Sequence, residues 1–133
     1  MVLVIVASAA IGCDSATAPG TTTVSATTQL LVGTVDASGS SFVSFAHGLA
    51  GTVSVTLTSL ASASGALVTP SVTLALGLLP ASGCTTTVSV AATPGLVAQI
   101  SGPQIAGNYC VTVTDSGSKL TDTTTYTIRV VHN

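Results

Sequence analysis

The sequence predicts an all-β protein, an antiparallel β-sandwich of about eight strands behind an N-terminal leader and a flexible tether. Three observations lead there. Of the 133 residues 47 % are hydrophobic, many of them β-branched, and only 5 % are charged, so threonine and serine fill the polar quota. Short segments then alternate apolar and hydroxyl residues with a period of two, the pattern of a strand with one face buried. Finally, glycine, proline, asparagine and aspartate fall between those segments, where a positive φ or a missing N–H does no damage. No window keeps a helical period. The length suits one domain, and the apolar content is far above that of a disordered chain.

Residues 1–13 open with an apolar run, Val2 to Ile11, of the length of a signal-peptide core and well short of the ~20 residues a permanent membrane helix needs. It is followed by Ala10-Ile11-Gly12-Cys13, which resembles the lipobox of bacterial lipoproteins, and this resemblance implies that Cys13 becomes the lipidated mature N-terminus. Ala7-Ser8-Ala9 also fits an ordinary signal-cleavage site, and the run could instead serve as a buried first strand. Residues 14–28 are mostly Thr, Ala, Ser, Pro and Gly. Such a composition cannot bury enough apolar area to offset the entropy of ordering, so it reads as a tether.

From residue 29 to 133 the spacing predicts strands at Gln29 to Val35, Ser41 to Ala46, Thr52 to Thr58, Ser71 to Leu76, Thr86 to Ala91, Leu96 to Ile100, Asn108 to Thr114 and Thr124 to Val131. In the third, Val53, Val55 and Leu57 share one face while Thr52, Ser54, Thr56 and Thr58 share the other. The last repeats the pattern with Tyr126, Ile128 and Val130 inward. The segment Asn108 to Thr114 is expected at the centre, with Tyr109, Val111 and Val113 on the core side. Turn-forming Ala106-Gly107-Asn108 leads in and Asp115-Ser116-Gly117-Ser118 leads out. Pro70, Pro80, Pro94 and Pro103 are expected between strands.

The run Gly107-Asn-Tyr-Cys-Val-Thr-Val113, with Gly51-Thr-Val-Ser-Val-Thr-Leu57, Ser71-Val-Thr-Leu-Ala-Leu76 and Thr125-Tyr-Thr-Ile-Arg-Val130 in that order, resembles the bacterial pre-peptidase C-terminal domain. The resemblance implies a jelly-roll-like sandwich on an exported protein. Calcium-binding relatives use acidic loop residues that are scarce here, and no cofactor is expected.

Cysteine usage agrees with export. With Cys13 assigned to lipid, Cys84 and Cys110 are left to pair in an oxidising compartment. Closing that loop is worth roughly 3 to 4 kcal/mol on the chain-entropy account.

Catalytic chemistry is short of parts. His47 and His132, taken with Asp36, Asp115 or Asp122 and a serine, supply the residue types of a hydrolytic triad. However, the chain has no Gly-x-Ser-x-Gly elbow, no His-x-x-x-His pair and no glutamate. Both histidines therefore read as ordinary loop or terminal residues, and Asp36 and Asp115 as turn formers bonding their own backbone. There is no tryptophan, and of Phe42 and Phe45 at most one faces solvent, so an aromatic sugar-binding strip is not expected. With Lys119 and Arg129 as the sole basic side chains and a net charge of −2, nucleic acid is excluded as a partner.

The expectation is thus a non-catalytic, exported, lipid-anchored sandwich acting as an accessory, adhesive or interaction domain at the bacterial cell envelope. Its partner would be a surface protein or polysaccharide, and its contact with the membrane would run through Cys13. The alternative is a self-assembling structural subunit joined through sheet edges, since the near-absence of charge leaves those edges unprotected. A small hydrolase is the remote third reading.

Overall fold

The computed structural model describes residue 20 and residues 23–133. The expected leader with Cys13 and most of the expected tether lie outside the described residues. Nine strands follow: β1 (Thr27–Val35), β2 (Ser40–His47), β3 (Gly51–Ala61), β4 (Leu67–Val68), β5 (Val72–Leu78), β6 (Thr85–Ala92), β7 (Ile100–Gln104), β8 (Gly107–Thr114) and β9 (Thr124–His132). There is no helix among the described residues.

Two antiparallel sheets face each other. One runs β1-β9-β3-β4 with β7 also paired to β3, and the other runs β2-β8-β5-β6. With the two-residue β4 set aside, the orders 1-9-3-7 and 2-8-5-6 are those of a jelly roll, in which consecutive strands pass between sheets except at the β5–β6 hairpin and the first strand pairs with the last. The core between them is mostly aliphatic, with Phe45, Tyr109 and Tyr126 among its buried residues. It is built from Val53, Val55 and Leu57 of β3, Leu74 and Leu76 of β5, Val111 and Val113 of β8, and Ile128 and Val130 of β9, all buried. These are the inward positions of the period-two pattern, and on β3 their opposite-parity neighbours Ser54, Thr56 and Thr58 carry hydroxyls.

The expected strands are present with three differences. The first strand begins at Thr27, two residues inside the expected tether, because Thr27 and Thr28 pair with His132 and Val131 of β9. The strand expected at Leu96 to Ile100 lies instead at Ile100–Gln104 and includes Pro103, which pairs opposite Thr52. Proline is tolerated because β7 is an edge strand whose outer side needs no donor. Residues 93–99 form an irregular cap on β3: Gly95 and Gln99 donate their main-chain N–H to the carbonyls of Leu57 and Val55, and Leu57 N–H donates to Gln99 Oε1 at 2.8 Å. The third difference is β4, an extra pairing of Leu67 and Val68 with the end of β3.

Two bulges shape the sheets. The register of β3 against β9 steps over Thr58, and that of β6 against β5 steps over Thr87. An extra residue is left out of the pairing and the ladder is locally disrupted. At both bulges the extra threonine bonds the partner strand through its side chain: Thr58 Oγ1 donates to Thr127 O at 3.0 Å, and Thr87 Oγ1 to Leu76 O at 3.1 Å.

Candidate functional site

Strand ends gather into two poles, and the residues able to carry chemistry divide between them. At one pole lie the β1–β2 turn, the start of β5 and the β8–β9 loop, bringing Asp36, Asp115, Lys119 and Asp122 together. At the other lie the end of β2, the start of β3 and β8, and the end of β9, with His47 and His132.

Asp115 organises the first pole. It is 4 % exposed, and its carboxylate accepts main-chain N–H bonds from Ser38 at 2.9 Å, Lys119 at 2.8 Å and Leu120 at 3.1 Å. One side chain thereby ties the β1–β2 turn to the β8–β9 loop and holds Ser38 and Ser118 at positive φ. Main-chain donors, those of Ser38 and Lys119 foremost, hold its pKa below the ordinary carboxylate value against the opposing effect of burial. Asp36 accepts from Thr123 Oγ1 at 2.6 Å, and its carbonyl takes the N–H of Gly39. Asp115 bonds the backbone of its own loop as expected, whereas Asp36 stands in a turn but gives its carboxylate to Thr123 of the β8–β9 loop instead of to its own backbone. A half-open cavity of about 140 Å³ sits beside them, lined by Val68, Pro70, Lys119, Leu120, Asp122 and Thr124. That is smaller than the ~300 Å³ at which small-molecule sites begin.

The second pole corrects the reading of the histidines. Neither is an ordinary loop or terminal side chain: His47 is 2 % and His132 5 % exposed, each on the inward parity of its strand. Four rings close this end of the core. Phe45 stacks on Tyr109 at 5.7 Å and meets His132 at 5.4 Å, while His47 stands edge-on to both Tyr109 and His132. The Nδ1 atoms of His47 and His132 lie 3.1 and 3.0 Å from the same main-chain oxygen, that of Asn133. That oxygen only accepts, so each ring carries a proton on Nδ1. Both Nε2 atoms are buried without a partner among the described residues. The signal was present in the sequence: His47 follows Val43 and Phe45, and His132 follows Ile128 and Val130, at two-residue steps on the core face.

The structure therefore keeps the two histidines away from the three aspartates it describes. Among the described residues no group of three or more His, Cys, Asp or Glu side chains gathers as a metal centre. Cys84 and Cys110 do come together, as a disulfide with a Cα–Cα distance of 5.8 Å. It links the loop before β6 to the middle of β8 across β5, where Gly77 stands opposite Cys110. A Cβ at Gly77 would run into the carbonyl of Thr85, the residue after Cys84, so a side chain there would push β6 away from the bridge. Thr112 Oγ1 lies 3.2 Å from Cys84 Sγ. Cys13 lies outside the described residues.

What remains for recognition is surface. The outward face of the β2-β8-β5-β6 sheet carries Ser40, Ser44, Thr112, Thr114 and Thr73, with Phe42 half exposed and Phe45 buried, as the parity of the pair requires. Cross-strand hydroxyls bond one another there, Ser40 to Thr114 at 2.8 Å among them. The four lateral edges differ in protection. On the β7/β4 edge, Pro103, the shortness of β4 and the 93–99 cap all obstruct an added strand. Along β1, β2 and β6 there is no charge, no proline and no second pairing partner among the described residues.

A scan against protein-family models finds none that matches the chain, and a search of the curated proteins finds no significant match. The described residues form a single antiparallel jelly-roll sandwich, stapled by Cys84–Cys110 and sealed by a His–aromatic cluster at one pole.

Proposed function

We propose that the protein is an exported, lipid-anchored, non-catalytic β-sandwich that presents its surface to a protein or polysaccharide partner at the bacterial cell envelope. One observation carries the reading: the described groups capable of acid–base work sit at opposite poles, with His47 and His132 committed to a main-chain oxygen and Asp115 to three main-chain donors. A catalytic pair needs its members within hydrogen-bond reach of one another or of a shared substrate atom. The Cys84–Cys110 disulfide is compatible with export. The likeness to pre-peptidase C-terminal domains belongs to this proposal, supported by the central place of β8, which carries the most specific part of that motif.

Metabolic labelling with a fatty-acid analogue tests it. The expected result is a labelled protein in the membrane fraction and an unlabelled, released Cys13→Ser variant. A wild-type chain without lipid, or with its mature N-terminus at Ala10, would overturn the anchor, and turnover of ester, peptide or glycoside substrates by the purified protein would overturn the non-catalytic role. The second reading, a self-assembling structural subunit, is favoured by the unguarded edges of β1, β2 and β6.

A further inference from the structure

The edge strand β1 has two features that its place in one molecule leaves unexplained. Leu30 and Val32 point outward from the sheet and are 66 % and 62 % exposed, although the adjoining residues of the strand are polar, small or partly buried. The outward residues of the strand also read nearly the same in both directions about Leu31: Thr28, Leu30, then Val32, Thr34.

We propose that β1 pairs antiparallel with β1 of a second copy of the chain, about a two-fold axis at Leu31. This joins the two β1-β9-β3 sheets into one continuous sheet. The inference rests on the premise of the second functional reading, that an unguarded edge pairs, and is independent of what anchors the protein.

An antiparallel strand can pair with its own copy only in a register that a two-fold axis maps onto itself, so one residue must face its mate. With Leu31 in that position, Leu30 faces Val32, Gln29 faces Gly33, Thr28 faces Thr34 and Thr27 faces Val35. On the outward face the four exposed apolar side chains of the two copies become direct cross-strand neighbours, flanked at each end by a Thr28–Thr34 pair. Aliphatic and Thr–Thr pairs are among the combinations that stabilise such ladders. On the inward face the half-buried Leu31 meets its mate beside the core. Gly33 presents no side chain to the Gln29 opposite, because the Tyr126 ring occupies the space where a Cβ would stand and its hydroxyl reaches Ser41 of β2 at 2.9 Å.

Charge does not oppose the contact. Two charged residues adjoin β1: Asp36, which follows Val35 and accepts from Thr123 Oγ1, and Arg129, paired with Leu30. Its guanidinium is drawn off toward the 93–99 cap, where Nη2 donates to Leu96 O at 2.9 Å. The far edge of the same sheet carries Pro103 and that cap, so only the β1 side accepts a strand, and the pairing closes as a dimer rather than continuing as a filament.

Cysteine cross-linking of the full-length chain tests the register. Residues directly opposite in an antiparallel pair have Cα atoms about 4.5 to 5.5 Å apart, within disulfide range, whereas two copies of residue 34 would stand about 20 Å apart along the strands. Leu31→Cys should give a covalent dimer on a non-reducing gel, and Thr34→Cys and the unsubstituted chain should not. Light scattering should show twice the chain mass for the parent protein and for Val97→Lys, and a single chain mass for the folded Leu30→Lys/Val32→Lys variant. A parent protein that is monomeric overturns the inference, and this is also the outcome if the chain's own N-terminal segment covers β1. Equal cross-linking at positions 31 and 34 overturns it as well. Assemblies larger than a dimer that survive Leu30→Lys/Val32→Lys overturn it while leaving the self-assembly reading standing through β2 or β6.

Discussion

Asp115 stabilises the acidic pole by being charged, which makes that pole sensitive to acid. Its carboxylate gains N–H donors on folding that it lacks in the unfolded chain, chiefly those of Ser38 and Lys119, and its pKa falls below the ordinary 3.8. A depressed carboxylate contributes stability that is complete above the unfolded pKa and disappears as pH falls through the folded one. Thermal melts between pH 2 and 6 should therefore show the wild-type protein losing stability below about pH 4. Asp115→Asn should be less stable at neutral pH and show a shallower loss over the same interval. An equally steep acid limb in the variant would assign the effect to another group. At this scale the sequence was informative about turn residues and less so about buried polar ones. Asp115 before Ser-Gly-Ser announced a turn, but nothing local announced that its acceptors would serve Ser38 of a different turn. Residue type points the histidines outward, whereas their parity along β2 and β9 places them in the core.

Strands were legible where a clean alternation ran for six residues or more, as in β3, β8 and β9, because half-buried sheets impose that period directly on side-chain choice. β7 was displaced by four residues for a physical reason. Leu96 and Val97 look like strand residues but are 82 % and 80 % exposed on the cap, while Ser101-Gly102-Pro103 looks like a turn but forms the edge. Edge position relaxes both the donor requirement and the burial requirement, so pattern alone misleads there. The bulge threonines were invisible, since a hydroxyl serving a partner carbonyl reads like any other threonine in an alternating run. The Cys84–Cys110 link was legible by counting, and it now has a structural setting: it closes a 26-residue separation and clamps β6, an unguarded edge of its sheet, to the central β8. Replacing both cysteines with serine should cost roughly 3 to 4 kcal/mol in urea-unfolding experiments. A change below about 1 kcal/mol would show that the unfolded chain gains little freedom from losing the bridge.

Taken as a whole, the molecule is wound so that its first and last strands are neighbours: Thr27 pairs with His132, and Val35 with Thr124. Few contacts form early in such a chain, because most pairings join residues far apart in sequence. Refolding from urea should therefore take about milliseconds to seconds, the range of domains dominated by non-local pairing. Stopped-flow tyrosine fluorescence measures it, and completion within about 100 microseconds would contradict this view of the topology. The pairing of β1 with β9 also has a mechanical side. Ladder hydrogen bonds run perpendicular to the strands, so a load's direction relative to the strand decides whether they break in turn or together. Pulling Thr27 and His132 apart at their shared pole would peel the ladder open one pair at a time. A pull on Thr27 resisted at the opposite pole by the β8–β9 loop, where the chain enters β9 at Thr124, instead slides β1 lengthwise against β9 and loads all nine paired positions at once. A sandwich held from the start of β1 and gripped at its acidic pole thus meets force in shear, the stronger of its two directions.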